Sequence, residues 1–132
     1  MFLNITNHPS GKWSAEQTSA AKGYGEVSDL PFPNIPAGMT SREVKTLAAK
    51  FFFEEIWPED YLPIGKGRVK GILLQGEFTF VVALLRLIQL WMKEVPVFAA
   101  CSERQVVETV NEKGETVKNA VFSFIQFREY TR

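Results

Sequence analysis

Short apolar runs alternate with stretches of helical period along most of this sequence, and that alternation narrows the available folds more than any other feature. Residues 2–6 are apolar-rich and end in the turn cluster Asn7, His8, Pro9, Ser10 and Gly11, which suits a buried strand followed by a loop. Ser14 and Gln17 then form a capping-box pair, because the hydroxyl can take the amide of residue 17 while the Gln side chain returns to the Ser14 amide. The spacing predicts a helix over 15–22, closed by Gly23 and Gly25. A second strand is expected over 26–30. Pro31, Pro33 and Pro36 deny backbone donors and make the next stretch an extended surface loop. Thr40 and Glu43 repeat the capping box, and Val44, Leu47, Ala48, Phe51, Phe52 and Ile56 mark the apolar stripe of a helix stopped at Trp57-Pro58.

The pattern then repeats with little between its parts. A turn-rich stretch over 62–67 leads to a strand over 69–75, Gly76 marks the switch, and a long helix is expected over 77–93. A fourth strand is expected over 95–101. Beyond it the period becomes that of strands: residues 105–110, a turn over 111–115, and residues 117–128 read as a β-hairpin packed on the sheet edge. Neighbouring parallel strands need a crossover, and right-handed crossovers can cover either face of a sheet. The expectation is a three-layer, Rossmann-like α/β domain with a mostly parallel central sheet, a single domain over 1–132 in which 104–132 form a C-terminal β-hairpin extension. With 132 residues, 45% of them apolar, such a chain can bury roughly two-thirds of its unfolded surface, enough for a core without staples.

Composition removes several functions. Fifteen basic residues balance fifteen acidic ones, so a protein that coats duplex nucleic acid, which needs a basic footprint, is not expected. Any bound anion must be held locally. A single cysteine, Cys101, excludes an internal disulfide, and with His8 as the lone histidine no Cys/His zinc site is expected and no metal or cofactor is called for. The opening lacks the basic-then-apolar layout of a signal peptide, and the most apolar run, 78–92, is interrupted by Arg86 and Gln89 and falls short of the roughly 20 residues needed to span a bilayer. A cytoplasmic location without membrane partners is the expectation.

In open α/β sheets ligands lie beyond the carboxyl ends of the strands, where strand order reverses. Three loops are expected there. The first carries Asn7, His8, Ser10 and Lys12: polar donors, an imidazole able to exchange a proton, and an ammonium suited to phosphate; the same residues also suit ordinary turn chemistry. The second carries Gln75, Gly76, Glu77 and Thr79 at a helix start, where backbone amides favour an anion. Against that, Gly76 equally fits a tight turn, and Glu77 neutralises the helix end and competes with a phosphate unless it binds a ribose hydroxyl or acts as a base. The third carries Ser102 and Arg104, whose planar fork can clamp phosphate or carboxylate, or pair internally with Glu103 or Glu77. Cys101 reads as a small buried hydrophobe ending its strand, and Trp13 as a packing anchor. Gly65-Lys66-Gly67-Arg68 lacks Walker spacing and precedes its strand, and Glu54, Glu55, Glu59 and Asp60 read as a solvated acidic face.

The helix over 77–93 also bears on assembly. Between Phe78 and Met92 only Thr79, Arg86 and Gln89 are polar, an apolar surface wider than one sheet face covers. Either the hairpin covers its outer side or another chain does, and a homodimer is favoured because a two-fold partner would bring two sets of rim loops over one ligand.

Three segments carry a family resemblance: Phe2-Leu3-Asn4-Ile5-Thr6-Asn7-His8-Pro9-Ser10 with Gln17 beyond it, Leu74-Gln75-Gly76-Glu77-Phe78-Thr79, and Ala100-Cys101-Ser102-Glu103-Arg104. Together they resemble small stand-alone CRISPR-associated Rossmann-fold proteins of the CARF type. The resemblance implies a homodimer in antiviral defence whose strand-end loops bind a cyclic oligoadenylate, and in some members cleave it as a metal-independent ring nuclease. It places the family's first-strand loop on Asn7, His8 and Ser10, and its glycine and hydroxyl on Gly76 and Thr79. Where many relatives carry a second glycine and a lysine, this chain has Glu77 and Phe78. If the ligand is cut by its own 2′-hydroxyl, His8 or Glu77 would assist proton transfer and Lys12 or Arg104 would stabilise the crowded anion. Two other readings stand beside this one: a non-catalytic scaffold whose working surface is the apolar helix, and an enzyme on a free nucleotide or nucleoside with Glu77 on ribose and Arg104 on phosphate.

Overall fold

A computed structural model describes residues 1–57 and 68–132. The strands are β1 (Phe2–Ile5), β2 (Val27–Asp29), β3 (Gly71–Leu74), β4 (Val97–Val110) and β5 (Thr116–Glu129). The helices are α1 (Ala15–Lys22), α2 (Ser41–Phe51), which runs on through a wider turn at Phe52–Ile56, and α3 (Phe78–Trp91). A short 3-10 turn at Ser10–Lys12 precedes α1.

The five strands form one sheet in the order β2-β1-β3-β4-β5, with every neighbouring pair parallel except β4 and β5. Alternation along the central strands separates two cores. Leu3, Ile5, Ile72, Leu74 and Val97 pack with Val44, Ala48 and Phe52 of the α2 segment and with Phe80, Leu84 and Ile88 of α3. Phe2, Leu73 and Phe98 face the other way, onto Ala21 of α1, with Trp13, Tyr24 and Phe127 around them. β1 and β3 are buried on both faces, which is why their sequences are near-continuous apolar runs. Each large side chain buried there contributes about 1.5–3 kcal/mol.

The helix starts follow their capping residues. Thr40 Oγ1 accepts from Glu43 N at 3.2 Å and Glu43 Oε1 accepts from Thr40 N at 3.3 Å, a complete capping box. At α1 Ser14 Oγ accepts from Gln17 N at 3.2 Å, and the expected return bond is not made. This helix buries Ala21 alone and is held mainly by its flanking aromatics.

The carboxyl-terminal third differs from the sequence expectation. The fourth strand does not stop at Cys101; β4 continues through Ser102, Glu103 and Arg104 to Val110, so those residues lie in a strand and not in a loop. The separate hairpin is the outer half of β4 turned back as β5, with a bulge between Cys101 and Ser102. Polar residues at 102–105 signal a turn only where one face of a strand must be apolar, and here neither face is covered. Every residue from 102 to 122 is exposed. The turn at its tip places Gly114 at φ +76°, the left-handed region that glycine favours. The hairpin leaves the outer side of α3 open: Phe78 is 84% exposed, Leu90 63% and Val82 47%. The turn expected over 62–67, the glycine-lysine cluster at 65–67 and the acidic pair Glu59 and Asp60 lie outside the described residues.

Candidate functional site at the carboxyl rim

From β1 the chain goes to one side to make β2, then returns past β1 to make β3. β1 and β3 are therefore the switch point of the sheet, where following loops leave in opposite directions and open a crevice. Their pairing, Ile5 beside Leu74, with Gln75 N donating to Ile5 O at 3.2 Å, sets the loops after the two strands side by side at their origin.

The first loop is fixed by a polar residue in an apolar strand. Asn4 is 1% exposed, so its amide must be satisfied internally. Its Nδ2 donates to Asp29 Oδ1 at 2.8 Å and to the His8 carbonyl at 2.9 Å, and its Oδ1 accepts from Thr6 Oγ1 at 2.9 Å. Asp29, at the end of β2, accepts from the Ser10 amide and hydroxyl at 3.0–3.2 Å. The His8 amide donates to Thr6 Oγ1 at 3.0 Å, and Trp13 Nε1 donates to the His8 carbonyl at 3.2 Å. The backbone from Thr6 to Ser10 is thus bolted to the sheet while the side chains of Asn7, His8 and Lys12 stay exposed.

At the second loop the glycine has a steric role. A Cβ on Gly76 would collide with the ring of Phe32, which comes from the proline-rich stretch after β2 and packs edge-on against Phe80 at 5.1 Å. Gly76 itself does not use a positive φ. Glu77 caps α3: its Oε2 accepts from Phe80 N at 2.9 Å and from Thr79 Oγ1 at 2.6 Å. The Thr79 hydroxyl, followed by the Phe80 amide, holds this carboxyl below the usual glutamate range. Gln75 Oε1 accepts from Ala100 N at 3.0 Å, extending the junction of β3 and β4 past the end of their ladder. Tyr130 donates its hydroxyl to Leu74 O at 2.8 Å, and partial burial pushes that phenol up.

The predicted residues therefore divide. Asn7, His8, Ser10 and Lys12 share one fixed loop, and Gln75, Gly76, Glu77 and Thr79 share the adjacent helix start. Ser102 and Arg104 stand on exposed ribbon beyond the sheet, on the same side of it as Ala100 and α1. A pocket of about 180 Å³ lies at the ends of β1 and β2, between Asn4, Thr6, Asn7 and Pro9 on one side and Asp29 and Phe32 on the other. Phe32 walls this pocket and also lies on Gly76, so pocket and helix start adjoin. Sequence reasoning missed Asp29, Phe32 and Asn4. The available signals were an Asn inside a buried strand and an acid at the end of the strand after β1.

The donors available to a ligand are fewer than the sequence suggested. The Ser10 hydroxyl proton goes to Asp29 and the Thr79 hydroxyl proton to Glu77, so both oxygens face a ligand as acceptors. The Gln75 amide nitrogen, Asn7, the His8 imidazole N–H, Lys12 and Arg104 remain as donors. Among the described residues no three His, Cys, Asp or Glu side chains gather as metal ligands. None of the described helices is long and apolar enough to cross a membrane.

The family model of the uncharacterized protein MJ1673 family matches residues 1–128. The chain belongs to that family. The match spans β1 to nearly the end of β5, so the rim loops and the hairpin of this MJ1673-family protein lie within the shared region. No curated protein and no solved structure matches the chain.

Proposed function

We propose that this MJ1673-family protein binds a nucleotide, a cyclic oligoadenylate in the CRISPR-associated, CARF-like reading, at the carboxyl rim between β1 and β3. The observation that carries the reading is the bolted first loop at the switch point, which presents Asn7, His8 and Lys12 from backbone held by Asn4 and Asp29. Pre-organised donors beside a crevice suit an anionic ligand. The adjoining pocket, about 180 Å³, is smaller than the roughly 300–1,000 Å³ of whole small-molecule sites. It has room for one ring of a larger ligand, which favours two rims acting together in a homodimer.

Cleavage, where it occurs, needs no metal. The ribose 2′-oxygen attacks the adjacent phosphorus and gives up its proton, the bond to the 5′-oxygen breaks, and that oxygen takes a proton, leaving a 2′,3′-cyclic phosphate end. His8 is the group suited to move these protons. The Glu77 carboxylate is committed to the α3 cap and its lowered pKa makes it a poor base. Lys12, with Arg104 further out on β4, supplies positive charge to the phosphate.

The test is a thermal-shift series with cyclic oligoadenylates of different ring size, mononucleotides and simple sugars. A ligand that binds only the folded chain stabilises it by about 2.7 kcal/mol at a hundredfold excess over Kd. The expected outcome is a shift with a cyclic oligoadenylate that is lost in Lys12→Ala, and EDTA-insensitive cleavage slowed roughly 100-fold or more in His8→Ala. No shift with any nucleotide overturns the reading. It would leave the scaffold reading, which the exposed Phe78, Val82 and Leu90 of α3 favour.

A further inference from the structure

Two surfaces of this fold are incomplete in a single copy. One is the ribbon made by the outer parts of β4 and β5, exposed from residue 102 to 122 with no layer on either face. A two-stranded hairpin alone in water is marginally stable at best. Its pairing sorts the side chains by face: Gln105 opposite Val121, Val107 opposite Asn119 and Thr109 opposite Val117 share one face, which carries no charge between residues 105 and 121. Arg104, Glu108 and Lys118 lie on the other, where Glu108 and Lys118 pair at 3.6 Å. Both faces expose apolar side chains, Val106, Val110 and Phe122 beside the charged groups at 60–72% and Val107, Val117 and Val121 on the uncharged face at 37–46%. Only the uncharged face can enter an apolar groove without burying charge.

The other incomplete surface is a groove of about 560 Å³ between α2 and α3, walled by Val44, Phe78 and Val82 with Lys45 and Arg86 at its margins. Both of its charged lining residues are cations, so an occupant should be apolar with acidic groups beside it. The hairpin tip offers that chemistry, with Glu112 and Glu115 on either side of Lys113 in the turn before Val117, a net negative charge.

We propose that the β4–β5 hairpin of one copy lies in the α2–α3 groove of a second copy, reciprocally, with Val107, Val117 and Val121 on the apolar floor and Glu112 and Glu115 against Lys45 and Arg86. The exchange closes with two-fold symmetry and meets both needs with one contact type used twice. A ribbon about 10 Å wide and about 23 Å long presents on the order of 230 Å² per face in projection. Two such contacts, counted on both partners, cover about 900 Å² in projection, just under the range of about 1,000–1,200 Å² at which specific interfaces begin, so the association is of the weak, micromolar kind. The proposal rests on the two-fold assembly of the preceding reading but not on any nucleotide. Its readout is mass, so its failure is distinct from failure to bind a ligand.

The experiment is light scattering on the eluting full-length chain at tens of micromolar, with circular dichroism to verify folding. The wild type should run at twice the chain mass. Val107→Asp with Val121→Asp on the ribbon, and Val82→Asp in the groove, should each give the single-chain mass. Mixing these two variants should raise the average mass above that of either alone, because the groove variant's ribbon meets the ribbon variant's intact groove in one of the two contacts. Arg86→Glu should weaken association at least tenfold, and adding Glu112→Arg with Glu115→Arg to the same chain should recover it. A wild type that stays single or a ribbon variant that stays double overturns the proposal. The second of these would assign the two-fold contact to packing of α3 on α3.

Discussion

Asp29 shows how a residue can govern a site without facing a ligand. Its two carboxylate oxygens accept from Asn4, from the Ser10 amide and from the Ser10 hydroxyl, so three donors converge where the first loop turns toward α1. Replacement by Asn keeps the shape but supplies one acceptor oxygen and sets an NH2 group against donors. Hydrogen bonds to a charged group are worth about 1.5–3 kcal/mol. Asp29→Asn should therefore raise amide exchange at Ser10 at least tenfold and weaken nucleotide binding, while leaving the exchange of β3 amides unchanged. Equal protection of Ser10 in variant and wild type would refute this role. The acid at the end of a strand was visible in the sequence but its partner was not, because Asp29 lies 19 positions from Ser10 and meets it only when β2 pairs with β1.

At the scale of elements, α3 carries the clearest pH signature. The Glu77 carboxyl is held low mainly by the Thr79 hydroxyl and then by the Phe80 amide. A carboxylate with a lowered folded-state pKa contributes stability that is present above its ordinary value of 4.5 and is lost as pH falls through the lowered one. Glu77→Gln keeps an acceptor for the Phe80 amide but removes the charge. Urea titrations should show the variant less stable than wild type at pH 7 and the two converging at low acid pH; parallel curves would rule the contribution out. Elements were legible where a local rule ends them. Thr40 with Glu43 opens α2 as its spacing implies, and α1 has the expected bounds. Both segments of β4, 95–101 and 105–110, were legible as strands; their continuity through 102–104 was not, because polar residues on a ribbon with neither face covered mimic a turn. Gly76 was legible as a special position, but the reason for it, the ring of Phe32, arrives from a loop 44 positions earlier.

The whole molecule is an α/β body with a projecting arm. The body holds both cores, whereas residues 102–122 are exposed throughout, so the arm adds little to the stability of one copy. Replacing residues 107–119 by a two-residue Asn-Gly turn, which joins the paired Val106 and Ala120, should leave a single cooperative thermal transition, with Tm within a few degrees of the wild type at dilutions where both are single chains. A broad or much lower transition would make the arm part of the core. At this scale the sheet and its two covered faces followed from alternation, whereas the reach of the hairpin depended on what it does not touch.

The root of the arm is tied down on two sides. β4 reaches the end of β3 through the Ala100 amide and Gln75, and the residue after β5 reaches the same place through the Tyr130 hydroxyl and Leu74 O, bonds of 3.0 and 2.8 Å. The ribbon is therefore anchored one residue from Gly76, on the backbone that begins the crevice.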